Sequence, residues 1–524
     1  MLLENITLGQ MLRRTTERHP DRPALEYLDQ VYTYRELDVL VDRYALALME
    51  HGVRKGDHVG ILCEAEPNTI ILAYAITRIG AVVAMLNTSL MEQELIARLS
   101  KSDISYLLIG DGYRAVRYPQ VCAGLIDQVA VLKKILYIGL EGNQDYENLV
   151  PSQADLSPVY EAEKLVEPQD TAFILFTSGT GSTPKAVMSS HYSRANSGLQ
   201  QAKDLGATCE DRFCVAMPAF HCFCLSVNVF ASCAAGACLY LPASRHTEDL
   251  LRAISVGKCS VFSCVPALFQ ALLRKPNLSE HDLSSLRIGY IGGSSYPVAL
   301  FLEAEERLGF TLLSSLGQTE ATAGITVCYP HDSQEVRSTT IGHFMDHVEG
   351  IIMDPTTGKE QPVGVSGEIC VRGYILMQGY YGQPEATAAA IDANGWLHTG
   401  DVGYLDENGN IHLSGRMKEL IIRGGENISP KEIESIFFDD PQVNQCKAVG
   451  VPDAFYGEEI CLCITTDPAN PCDEAHIRSA MDGKLAAYKI PRYVLFMEQM
   501  PMTTTGKIRL QELKDIAANI LFGK

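Results

Sequence analysis

No two of the sixteen cysteines, which run from Cys63 to Cys472, stand in CxxC spacing. The closest pairs are Cys222-Phe-Cys224 and Cys461-Leu-Cys463. The second lies in the alternating run EICLCITT, where side chains on one face of a strand read as buried thiols rather than ligands. Reduced cysteines in a reducing compartment are expected. Excess positive charge is also missing: the formal charge is -21, which opposes nonspecific nucleic-acid binding and attraction to an anionic membrane. Any polyanionic ligand must therefore be met by local positive charge. No apolar run is long enough to span a bilayer; the longest, Val227 to Leu241, is interrupted by Asn228 and Ser232. The opening MLLENITLGQMLRR has no basic segment leading into an apolar core, so no signal peptide is expected and the cytoplasm is the expected location. No internal repeat or low-complexity tract stands out.

What is present is a globular composition, 46% hydrophobic and 20% charged over 524 residues, too long for one ordinary core. Up to about Val166, amphipathic helical stretches such as Tyr34 to His51 alternate with apolar strand-like runs such as His58 to Cys63 and Ala81 to Met85, an α/β pattern. It resumes with Ser260 to Val265 as a strand, Pro266 to Leu273 as a helix and Leu286 to Gly292 as a strand. Gly350 to Asp354 and Gly367 to Gly373 read as a small β unit before the final domain.

The run TSGTGSTPKA, Thr177 to Ala186, carries the most chemistry. It follows the apolar segment Thr171 to Phe176, which reads as a buried strand feeding a loop of small and hydroxylated residues. Such a loop presents backbone N–H groups and hydroxyls, and Lys185 adds a fixed positive charge, which together make an oxyanion cradle suited to a polyphosphate. It is not a Walker A loop, because no Gly-Lys-Ser/Thr ends it. Nor is it a dinucleotide fingerprint, because Pro184 stands where the third glycine belongs.

Downstream, in order, come LGQTE (Leu316 to Glu320), GWLHTGD (Gly395 to Asp401), SGRMKELIIRGGEN (Ser414 to Asn427) and TTTGKI (Thr503 to Ile508). Together with the loop they resemble the ordered core motifs of the adenylate-forming superfamily, in its AMP-forming acyl-CoA synthetase branch, over nearly the whole chain. The resemblance implies a large α/β N-terminal domain (1–417, α/β layers plus the small β unit) and a small, mobile α+β C-terminal domain (418–524). It implies ATP and coenzyme A as substrates with Mg2+. The partners are a small carboxylic acid and these nucleotides, with no nucleic acid and no transmembrane segment; a homodimer is compatible. In this reading Thr177, Ser178, Gly179, Thr180, Gly181, Ser182, Thr183 and Lys185 hold the phosphates. Glu320 supplies the magnesium carboxylate, with Thr180 beside it. Gly292, Gly293 and Ser294 border adenine, and Ser315, Leu316, Gly317, Gln318 and Thr319 also bind ATP or AMP. Asp401 takes the ribose hydroxyls and Arg416 adds a contact to ribose or phosphate. Lys507 is the mobile lysine for the carboxylate and the α-phosphate, and Lys418 is the hinge. Gly424 and Gly425 border the pantetheine, and Lys489 and Arg492 the nucleotide end of coenzyme A. His221, Cys222 and Phe223 contact the acyl group.

The phosphate loop departs from the common SGTTGxPKG at Gly181-Ser182 and Ala186. Leu316 stands where a tyrosine usually stacks on adenine, and Ser294-Ser295 differ from the commoner alanine-containing run. From Phe213 to His246 there is no Asp or Glu to pair an α-ammonium. A carboxylic acid without an amine is therefore expected, mainly apolar, a medium-length aliphatic or aryl acid. Two further readings stay open: a free-standing adenylating enzyme that loads a carrier protein, and a noncatalytic binding homologue.

Overall fold

The structure is a computed structural model; it describes residues 2–523 except 115, 139–154, 178–183, 295, 424–425, 468–469, 483, 486 and 503–507, and at 418, 426–427 and 487 the backbone alone. The chain forms two compact units. The first comprises Met1–Ser295, Leu300–Gly350 and Val371–Leu397, and the second Tyr296–Ala299, Ile351–Cys370 and His398–Lys524. The boundary expected at 417/418 thus falls inside the second unit, because much of the small β region ahead of it clusters with the C-terminal residues.

Two seven-stranded sheets build the first unit. One runs in the order Thr311–Ser314, Ile288–Ile291, Val261–Phe262, Arg212–Cys214, Cys238–Leu241, Pro23–Tyr27, Gln30–Thr33. The other runs Gly379–Tyr380, Lys185–Ser190, Thr171–Thr177, Val82–Met85, His58–Leu62, Ile104–Ile109, Lys134–Tyr137. Val82–Met85 and Ile104–Ile109 are buried at every position, as mainly apolar runs are when a parallel sheet is covered on both faces. Helix Tyr34–Glu50 starts where its sequence says it should. Thr33 accepts from the Glu36 N–H and Glu36 accepts from the Thr33 N–H, closing a capping box. Pro67 opens helix Pro67–Arg78, which is buried along its whole length. The strand expected at Ser260 to Val265 shrinks to Val261–Phe262, since Pro266 already starts the next helix.

In the second unit, strands Glu426–Ile428, Ile421–Arg423, Gly457–Thr466 and Val443–Asp453 form a sheet that Tyr493–Phe496 joins by pairing with Gly457–Thr466. The period-two alternation of Gly457–Thr466 feeds two cores. Ile460, Leu462 and Ile464 pack with Ile477 and Met481, while Cys461 and Cys463 pack with Leu513 and Ala517 of helix Leu510–Phe522. Cys461 and Cys463 are therefore buried core thiols, as their spacing predicted.

Candidate active site

In the first unit the phosphate loop joins strands Thr171–Thr177 and Lys185–Ser190, an antiparallel pair in which Lys185 faces Thr177. Ser178, Gly179, Thr180, Gly181, Ser182 and Thr183 lie outside the described residues. The far side of Lys185–Ser190 carries Gly379–Tyr380, with Val187 opposite Tyr380. This short pairing sets the site. The Met377 N–H donates to the Glu320 carbonyl at 2.8 Å, the Tyr380 hydroxyl donates to Glu320 Oε1 at 3.0 Å, and Lys185 Nζ sits 4.3 Å above the Tyr380 ring. Burial, then the Glu320 charge, push the Tyr380 hydroxyl well above its ordinary range, so it stays a donor. One tyrosine thereby links the loop lysine to the metal-binding carboxylate predicted from LGQTE. Motif reading missed it; the cue was the run Met377 to Tyr381, MQGYY.

The adenine-side segments follow two adjacent parallel strands, Ile288–Ile291 and Thr311–Ser314, paired from Ile288↔Thr311 to Ile291↔Ser314. Their carboxyl ends release Gly292, Gly293 and Ser294 beside Ser315 and Leu316, the usual place for a ligand loop on an open α/β sheet. A Cβ on Gly292 would lie 3.3 Å from the Ser315 carbonyl oxygen. At Gly317 it would lie 1.4 Å from the Ala323 carbonyl oxygen, so only glycine lets the loop fold back before Gln318, Thr319 and Glu320. Leu316 is fixed through its backbone: its N–H donates to Thr326 Oγ1 at 3.0 Å and its carbonyl accepts from the Ile325 N–H at 2.9 Å.

Two of the residues expected at the acyl group, Cys222 and its neighbour His221, adjoin that loop through Thr319. His221 Nδ1 accepts from the Phe223 N–H at 3.3 Å and lies 3.8 Å from Cys222 Sγ, while Thr319 Oγ1 lies 3.6 Å from the same sulfur. Burial alone would raise the Cys222 thiol, but His221, Arg194 and Thr319 outweigh it and hold it below its ordinary value. A π-helix, Cys224–Phe230, follows and is buried throughout; such turns are rare and recur at functional sites.

In the second unit, Asp401 opposes Arg416 across the pair Leu397–Leu405 and Ile411–Arg416. Arg416 Nε donates to Asp401 Oδ1 at 2.9 Å, and Asp401 is buried. Glu368 braces the strand Leu397–Leu405: its Oε1 accepts from the Gly400 N–H at 2.8 Å and its Oε2 lies 2.7 Å from His398 Nδ1. Gly400 takes a φ of 70°, which glycine adopts without strain. Lys418 falls in a one-turn 3₁₀ segment, Met417–Glu419, between strands Ile411–Arg416 and Ile421–Arg423. Lys489 is held by Glu432 at 2.6 and 2.7 Å, and Arg492 lies 3.5 Å from Asp453. Both expected coenzyme A cations thus already face carboxylates. Gly424, Gly425 and Lys507 lie outside the described residues.

The fold and the ordered motifs are those of an adenylate-forming enzyme. The family model for the AMP-binding enzyme matches residues 12–381 and that for the AMP-binding enzyme C-terminal domain matches residues 432–507. The chain belongs to this family, in the acyl-CoA ligase branch of the adenylate-forming superfamily, and is an AMP-forming acid–CoA ligase. It is 36% identical over 531 residues to the putative acyl-CoA synthetase YngI of Bacillus subtilis (strain 168), covering 97% of this chain and 96% of that one. It is 31% identical over 539 residues to the mitochondrial medium-chain acyl-CoA ligase ACSF2 of Mus musculus, covering 98% and 88%. Among solved structures it resembles the o-succinylbenzoate CoA synthetase MenE of Bacillus subtilis in complex with the acyl-adenylate intermediate OSB-AMP, with a TM-score of 0.81, 28% identity, and 98% and 99% of the two chains covered. Among the described residues no helix is long and apolar enough to cross a membrane.

Proposed function

We propose that the ligase works in two steps, first joining a carboxylate to the α-phosphorus of ATP with release of pyrophosphate, then passing the acyl group to the thiol of coenzyme A with release of AMP. The link Lys185–Tyr380–Glu320 carries this reading. The first step brings two anions together, so the site must neutralise charge and hold groups in line rather than supply a strong base. Lys185 and the loop hydroxyls take the phosphates. Glu320 suits a hard divalent cation: its carboxylate is only partly buried and Tyr380 orients it by a donor that stays protonated. Magnesium held there would supply charge neutralisation between phosphates.

Asp401 takes the ribose hydroxyls, with Arg416 already placed to orient its carboxylate, and Lys507 stabilises charge at the α-phosphate. Lys418 is the hinge about which the C-terminal domain turns between steps, after which Gly424 and Gly425 let the pantetheine pass close to backbone. Lys489 and Arg492 contribute to the nucleotide end of coenzyme A once released from Glu432 and Asp453. The solved structure of MenE with an acyl-adenylate and the acyl-CoA ligase relatives support this sequence of events. Acid-dependent exchange of pyrophosphate into ATP tests the first step by itself; no exchange with any acid would end the proposal.

A further inference from the structure

Arg78 and Arg194 are the two largest fully buried side chains among the described residues. Their surroundings differ sharply. Arg78 meets three carboxylates, Asp38 Oδ1 at 2.6 Å, Asp42 Oδ1 at 2.7 Å and Glu163 Oε1 at 3.6 Å. Arg194, on helix His191–Asp204, meets no carboxylate among the described residues. Its Nε donates to Ser189 Oγ at 2.8 Å, its Nη1 reaches Ser226 Oγ at only 3.5 Å, and its Nη2 has no partner there. Its guanidinium lies 5.6 Å from the Phe173 ring centre. Burial pulls its pKa down to about 10, with Cys222 opposing the shift. An unpaired buried cation is costly and is seldom retained without a partner.

The position of Arg194 says where a partner comes from. Glu320 and Thr319 mark the reacting end of the site. Thr319 touches Cys222, and Cys222 interacts with Arg194. Ser226, on the π-helix, touches Arg194 and donates to the Thr322 carbonyl at 2.8 Å. Through Ser226, Arg194 therefore lies beside the segment that follows Glu320, with its buried Nη2 unpartnered among the described residues.

We propose that Arg194 determines acid specificity by pairing with a second carboxylate at the far end of the acyl chain, so that the substrate class is a dicarboxylic acid. This rests on the acid–CoA ligase reading and replaces the wholly neutral acyl tail expected from Phe213 to His246. That segment was read without a residue brought in from another helix.

The test measures kcat/KM for adenylation by wild type, Arg194→Lys and Arg194→Leu over straight-chain acids matched in length: monocarboxylates, dicarboxylates, and the monomethyl esters of those dicarboxylates. Wild type should prefer one dicarboxylate over the monocarboxylate and the ester of equal length by at least about tenfold. Arg194→Leu should reverse that order, and Arg194→Lys should keep it in weakened form. Equal or better use of the neutral acids by wild type would overturn the proposal whether or not the Leu variant folds. Turnover of neutral acids alone leaves the ligase reading standing, whereas no adenylation of any acid overturns both.

Discussion

The Tyr380 hydroxyl donates to Glu320 Oε1 at 3.0 Å while its ring carries Lys185 Nζ at 4.3 Å. Tyr380→Phe keeps the ring and deletes only the donor. A hydrogen bond to a charged group contributes about 1.5–3 kcal/mol, so adenylation kcat/KM should fall by roughly tenfold or more. The apparent affinity for magnesium should weaken with it. Titration of pyrophosphate exchange against magnesium checks this, and an unaltered curve would remove Tyr380 from the site.

Lys507 is assigned to the first step alone. Lys507→Ala should slow acyl-adenylate formation by at least about 100-fold, since it removes charge stabilisation at the transition state. Conversion of a supplied acyl-adenylate to thioester should largely survive. Loss of both steps to the same degree contradicts the assignment.

Lys418 sits in the short turn between two strands of the second unit. Proline there fixes φ and removes a backbone donor, which should restrict the rotation that precedes thioester formation. In stopped-flow traces of Lys418→Pro, adenylation should persist and thioester formation should fall. Both rates at the wild-type level would place the hinge elsewhere.

Asp204 closes the helix that carries Arg194. Burial raises its carboxyl to about 7, against an ordinary value of 3.8, despite a 2.8 Å bond from Gln200 to Oδ1. Between these values the native state keeps a proton that the unfolded chain has lost, so stability falls as pH rises through roughly 4 to 7 and the full cost remains above. Asp204→Asn, uncharged at every pH, should escape this loss. The variant's gain in Tm over wild type should grow from pH 5 to pH 8; a gain that is constant or shrinks over that range would refute the assignment.

Local pattern made several elements legible. Pro266 to Leu273 and Gly367 to Gly373 match the helix and strand observed, because a proline at the first turn and a glycine-bounded apolar run mark their own ends. The LGQTE and HTGD residues were legible as motifs, and Asp401 does face Arg416. Tyr380 was hidden because its place depends on pairing with a strand nearly two hundred residues earlier. Arg194 was hidden for a different reason. The helix HYSRANSGLQQAKD reads as polar and exposed, yet Arg194, Asn196, Gln200 and Gln201 are buried. Partners distant in sequence settle some of them, as when the Glu4 N–H donates to Asn196 Oδ1, and no local periodicity reports such partners.

The central claim is thioester formation through an adenylate, and one measurement meets it directly: purified protein incubated with ATP, magnesium, coenzyme A and a panel of mono- and dicarboxylic acids, with nucleotide and thioester products quantified together. The account predicts AMP and acyl-CoA in equal amounts for at least one acid, with pyrophosphate released. Production of ADP, or AMP without any thioester across the panel, would contradict it.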